Sequence, residues 1–327
     1  MFSTAVGLRH VPIDRVVADA VDYFRHCLQP DGSIADDPAS AMFREWDTVN
    51  ALKAIALWQD IIHLEVVDIV EPALKFLAKQ EKPSGMLSWG GAEIASDRYC
   101  TETSSEYVTA LTLLGRTDEA RVKALFLRER QRTDGAWEET HSHIPRAFQL
   151  ESSVTGFALL ALDGLDIEPM HLDEALNFLV SKQHYEGHFG INWYYYASYY
   201  YLLRPTVAAL MRFAGYPQVA AARDFVLARQ RRDGSWFSRA DGAGQTASTE
   251  LHTALALGTL ACAGVRADAP AVGRAVSWLL ERRRADGSWC GGDYPYPKTD
   301  GYREFQAPQD IFTTAQVLVA LRELESS

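Results

Sequence analysis

Cysteine is scarce. There are four in 327 residues, Cys27, Cys100, Cys262 and Cys290, and no CxxC pair among them. The reading is reduced thiols in a cytoplasmic chain. Basic residues are the minority, with Lys and Arg totalling 32 against 43 Asp and Glu, a net charge of -11. A phosphate backbone calls for a basic face, so nucleic acid is not an expected partner. No run of about 18 apolar residues occurs, and no membrane span is expected. The opening MFSTAVGLRHVPIDRVVADA is broken by Arg, His and Asp and does not resemble a signal peptide. No Pro/Gly-rich linker interrupts the chain, which points to one domain over 1–327. What is plentiful is apolar and aromatic: 47% apolar residues, with 8 Trp, 14 Tyr and 14 Phe.

The chain repeats itself. LQPDGSI from Leu28, KQEKPSGMLSW from Lys79, RQRTDGAW from Arg130, KQHYEGHFGINW from Lys182, RQRRDGSW from Arg229 and RRRADGSW from Arg282 are copies of one turn. Each follows a helical stretch and precedes another. The period of about 45 to 60 residues lies in the range of helical repeats. Asp-Gly suits a tight turn because Gly accepts positive φ. The aromatic can close the space between hairpins, and the Gln can bond to a neighbouring turn. The second helix of each unit is apolar and rich in small residues, as in ALALGTLACAG, which suits an inner layer. The first carries more charge, as in DEARVKALFLRER, which suits an outer one. Six of each predict an all-α fold, an (α/α)6 barrel of six helical hairpins.

The Q-x-x-D-G-x-W turns resemble the QW repeats of the squalene and oxidosqualene cyclase superfamily. That superfamily includes class II terpene cyclases and is related to protein prenyltransferase β-subunits. Gln131, Gly135 and Trp137 match most closely, with Gln230, Gly234 and Trp236. The last copy has Arg284 in place of Gln, and the first has Ile34 in place of Trp. The resemblance covers about residues 20–325. It implies a single barrel where full-size triterpene cyclases carry two, so a second subunit or barrel is a candidate partner.

Class II cyclases protonate an alkene or epoxide from a D-x-D-D or D-x-D-T-T motif at the start of an inner helix. Glu45-Trp46-Asp47-Thr48-Val49 resembles it, with Asp47 on the acid and Glu45 sharing its proton. A plain reading makes Asp47 a helix N-cap. Asp310-Ile311-Phe312-Thr313-Thr314 is a second copy, with Phe312 on the acid position and Asp310 a cap or the acid of a shorter motif. Glu102 and Glu106 are four apart and share a face if one helix runs through both. Such a pair could exchange a proton or hold Mg²⁺ beside a diphosphate. Glu151 and Glu250 occupy matching positions, which suits a repeated cap or a ring of acids.

Arg98, Arg146 and Arg303 lie just ahead of inner helices and would receive a diphosphate or carboxylate. The block INWYYYASYYYLLRP places Tyr195 and Tyr199 at helical spacing, an aromatic face suited to carbocations. His252 resembles the zinc-ligand His of the prenyltransferases, but their D-x-C is missing, so no metal is assigned. His252 is left as a candidate general base. The resemblance therefore implies a small isoprenoid substrate and a class II-type terpene cyclase or isomerase. The alternatives are a lyase or hydratase on a small apolar substrate, or a non-catalytic binding barrel.

Overall fold

The computed structural model describes residues 12–36, 43–59, 61–88, 98–140, 146–192, 196–213, 217–237, 248–296 and 305–326. They form twelve α-helices, alternating outer and inner along the chain. The outer helices are α1 (Ile13–His26), α3 (Val67–Gln80), α5 (Thr117–Glu129), α7 (Leu172–Ser181), α9 (Pro217–Ala228) and α11 (Pro270–Arg282). The inner ones are α2 (Arg44–Trp58), α4 (Thr101–Leu113), α6 (Ser152–Asp163), α8 (Tyr199–Phe213), α10 (Thr249–Cys262) and α12 (Asp310–Ser326). One departure from the all-helical expectation is a short antiparallel hairpin, β1 (Asp293–Tyr296) with β2 (Phe305–Pro308), before α12.

Burial separates the layers. In α10 every residue from Leu251 to Ala261 is buried, whereas α11 buries one stripe, Val272, Ala275, Trp278 and Leu279. A helix apolar all round belongs inside, and one with a single apolar stripe covers it. Each inner helix packs on the next, and α12 packs on α2, so the ring closes. The Trp58 indole seals that last seam by donating to the Leu318 carbonyl at 3.0 Å.

The repeated turn ties the layers together. The backbone N–H at the aromatic position donates to a Ser or Thr hydroxyl on the following inner helix. Ile34 reaches Thr48, Leu87 reaches Ser104, Trp137 reaches Thr155, Trp236 reaches Thr253 and Trp289 reaches Thr314, at 2.9–3.1 Å. Leu87 therefore holds the aromatic position of the second copy. Trp89, the residue suggested by the sequence pattern, lies outside the described residues. The indoles of Trp137, Trp236 and Trp289 each donate to an outer-helix carbonyl at 2.7 Å. The Gln131 amide donates both to its own turn, at Gly135, and to His171 before the next outer helix, each at 3.0 Å. Gln183 and Gln230 repeat the arrangement.

Glycine is needed where the turn meets the next outer helix. A Cβ on Gly135, at φ +81°, would lie 2.0 Å from the Ala175 nitrogen on α7. A Cβ on Gly287 would lie 2.2 Å from the Asp19 carbonyl on α1. The last turn thus packs on the first helix, and Arg283 adds an ion pair to Asp19 at 2.6 Å.

Candidate active site

A small cavity of about 20 Å³ lies at the end of the barrel where the inner helices begin. Phe43, Trp46, Cys100, Glu102, Thr103, Tyr196 and Tyr201 line it. Its aromatic wall is continuous with Phe312: Tyr196 stacks on that ring at 5.2 Å, Trp46 approaches it at 5.2 Å, and Tyr196 and Tyr201 lie 4.7 Å apart. The aromatic block was legible as a cavity feature, but Tyr196 and Tyr201 are the residues that face inward. Tyr199 turns outward, its ring 4.7 Å from His188 and 5.3 Å from Phe225 on α9. Helix α8 starts at Tyr199, so two residues further on the chain has turned to the opposite side. Tyr195 lies outside the described residues.

Glu102 is the carboxyl group among the lining residues. Helix α4 begins at Thr101, so Glu102 and Glu106 do share one face. Its two oxygens accept from the Ser153 and Tyr201 hydroxyls, each at 2.5 Å. Burial is the largest influence and pushes Glu102 up to about 7, with the two hydroxyls pulling it back and Glu106 adding repulsion. Behind it, Glu139 accepts the backbone N–H groups of Thr101 at 2.6 Å and Glu102 at 2.9 Å, capping α4. Burial and the nearby Glu102 raise Glu139 to about 8. Burial and the same neighbour raise Glu151 to about 8, and the Asn192 amide donates to it at 2.5 Å. Glu151 therefore does not cap α6; its partner is a loop amide. Glu250 lies in the first turn of α10.

Sequence reasoning missed Glu139. Its signal is positional. It lies two residues after the aromatic of its turn, where the first copy has Asp36. Asp36 likewise accepts the Ile311 N–H at 3.0 Å and caps α12.

Asp47 and Glu45 are not among the residues lining the cavity. Helix α2 starts at Arg44, four residues before the start that an Asp47 cap would require. Asp47 is thereby an interior residue of the first turn and not a cap. It is fully buried, and burial, then Asp36, then Glu45 raise its pKa. Its Oδ1 has no hydrogen-bond partner. Burial raises Glu45 to about 7, with Lys82 and Arg44 opposing. Asp310 is engaged elsewhere: it pairs with Arg284 and accepts the Gly291 N–H at 2.6 Å. It is not among the residues lining the cavity.

Below the cavity the barrel axis is filled by charge. Lys53 pairs with Glu106 at 2.6 Å, both buried, and Arg204 pairs with Glu323 over Gly258. Gln316 donates to Asn50 at 3.0 Å. Glu106 is thus occupied by an ammonium group and does not fit a Mg²⁺ ligand role. Among the described residues no three His, Cys, Asp or Glu side chains are grouped to hold a metal. Arg98 and Arg146 are exposed and do not line the cavity, and Arg303 lies outside the described residues. His252 is buried beside Tyr200 and Phe237 and donates to the Tyr196 carbonyl; burial lowers it to about 4. It is a neutral residue that holds a wall aromatic in place, and it is not itself on the wall.

A closed ring of six inner helices, tied by QW turns and carrying an aromatic cavity with a buried carboxyl at its helix-start end, defines the all-α superfamily of class II terpene cyclases. Within it, residues 152–325 match the squalene-hopene cyclase C-terminal domain family, and the chain belongs to that family. No curated protein matches the sequence. Among solved structures, the type II terpene cyclase MstE from Scytonema, in complex with geranylgeranyl dihydroxybenzoate, is similar with a TM-score of 0.72 at 16% identity. The alignment covers 96% of this chain and 97% of that one. A protein from Actinoplanes gives 0.69 at 20% identity, over 95% and 99% of the two chains. The ent-copalyl diphosphate synthase from Streptomyces platensis gives 0.56 at 19% identity, over 86% of this chain and 51% of that one. At these identities the likeness speaks for the fold alone. No helix among the described residues is long and apolar enough to cross a membrane.

Proposed function

We propose that this barrel is a class II-type terpene cyclase or isomerase in which Glu102 is the proton donor. The observation that carries the reading is that Glu102 brings the one carboxyl group among the residues lining the aromatic cavity. With its pKa raised to about 7, a substantial share holds a proton at neutral pH. Donation to a C=C carbon turns the π pair into a C–H bond and leaves a cation on the more substituted carbon. As the carboxylate forms, the Ser153 and Tyr201 hydroxyls stabilise it where charge develops. The faces of Trp46, Tyr196 and Tyr201 stabilise the cation. Ring closure by a second C=C and loss of a proton then give an isomer of the substrate. The cavity is of the order of one or two waters in size, so a prenyl chain is admitted only as the lining side chains move apart.

The test is incubation of the purified protein in D₂O with geranyl, farnesyl and geranylgeranyl alcohols and diphosphates, followed by mass spectrometry. The expected product is an isomer of one substrate carrying one added deuterium on carbon. Unchanged substrate across the panel contradicts the reading.

A further inference from the structure

Five tryptophan indoles are buried among the described inner helices and turns. Four of them, on Trp58, Trp137, Trp236 and Trp289, donate to helix carbonyls at 2.7–3.0 Å. The fifth, on Trp46, has no hydrogen-bond partner, and Trp46 lines the cavity. Thr103 lines the same cavity, is completely buried, and its Oγ1 is likewise without a partner. Trp46 itself is only 5% exposed. A buried donor left unmet costs about 1–3 kcal/mol. Both residues line one small space beside a carboxyl, and a ligand atom that accepts hydrogen bonds would account for the two unmet groups together.

We propose that Trp46 Nε1 and Thr103 Oγ1 form a subsite for a neutral oxygen of the substrate, a hydroxyl or carbonyl, next to Glu102. Both donors are uncharged, and no cation is among the lining residues. Lys53, one turn deeper, is held by Glu106. Glu102 raises the pKa of both Glu139 and Glu151 by repulsion, and Glu139 adds to the rise of Glu151, so this end of the barrel already disfavours added negative charge. A diphosphate is therefore the wrong head for this subsite. That the ligand is an isoprenoid rests on the cyclase reading; the demand for a neutral oxygen does not.

The test measures equilibrium binding of geraniol, geranyl diphosphate and the C10 hydrocarbon analogue lacking the oxygen. Wild type, W46F, T103V and E102Q are compared, each checked for folding by circular dichroism. Wild type should prefer the alcohol over both other ligands. W46F and T103V should each weaken the alcohol by about 2- to 12-fold, the worth of one hydrogen bond, and leave the hydrocarbon unchanged. Equal binding of alcohol and hydrocarbon, equal losses for both in the variants, tightest binding of the diphosphate, or no binding at all by folded wild type would overturn the subsite. E102Q separates this inference from the cyclase reading, since it should keep the alcohol preference while forming no product. Product from wild type without the binding pattern removes the subsite alone. The binding pattern without any product removes the cyclase reading alone.

Discussion

Two glutamates one turn apart on α4 share a face of the barrel axis and meet opposite surroundings. Glu102 faces an aromatic cavity and is held by two neutral hydroxyls, from Ser153 and Tyr201. Glu106 faces the packed lower axis and is held by the Lys53 ammonium. Both are buried. The difference lies in the partner. A hydroxyl can donate to the anion or accept from the acid, so Glu102 can change its protonation state without losing its contacts. An ammonium group can only donate, so Glu106 is committed to the ion pair. The same helix thus carries a carboxyl suited to proton transfer and, 5 Å or so below it by the rise of one turn, one suited to closing the barrel.

The largest expected effect breaks the lower member of the pair. Lys53→Met leaves Glu106 buried without its counter-ion and should cost about 3–5 kcal/mol of stability. Chemical denaturation would measure it, and adding Glu106→Leu should recover most of the loss. Recovery is expected because a well-packed apolar pair often matches a buried ion pair.

A second prediction concerns pH. Glu45, Glu102, Glu139 and Glu151 all have folded pKa values raised by burial, to between about 7 and 8. They bind protons more tightly folded than unfolded. Their contribution to stability is complete below the ordinary carboxylate range and is lost as pH rises through those values. The melting temperature should therefore fall from pH 5 to pH 8.5, and Glu139→Gln should flatten the slope. A melting temperature that rises over this range would show these carboxyls to be charged in the fold.

The smallest effect sharpens the comparison at its upper member. Tyr201→Phe removes one hydroxyl that favours the Glu102 carboxylate. Its pKa should rise further, moving the alkaline limb of the pH–activity profile to higher pH. The stability cost should be about 1 kcal/mol. A limb that stays in place would remove Tyr201 as a partner that tunes the acid.

The turns were legible in the sequence because their chemistry is local and repeated. A Gly that must meet the next helix, an aromatic and a bridging Gln recur at fixed offsets, and the barrel follows from stacking them. The site was only partly legible. Glu102 and the aromatic block were visible as candidates, but which side chains face the axis depends on where each inner helix begins. A start at Arg44 brings Trp46 to the cavity and leaves Asp47, about 100° further round the helix, off its lining. A start at Tyr199 does the same for Tyr201 at the expense of Tyr199. The D-x-D-like spelling around Asp47 reports residue types and not that rotation. Nor could spacing show that Lys53 and Arg204 occupy the barrel's lower axis, where an apolar central cavity would otherwise be expected. Their partners, Glu106 and Glu323, lie 53 and 119 residues away.

The most direct test of the central claim compares two amide substitutions, Glu102→Gln and Asp47→Asn, in the product assay. Each keeps side-chain size and removes an acidic proton. The account predicts that E102Q lowers turnover by roughly 10²–10⁴-fold, the usual worth of a positioned general acid, with its melting temperature retained. D47N should turn over within a few-fold of wild type. Normal product from a folded E102Q, with loss of product in D47N, would contradict it and return the proton to Asp47.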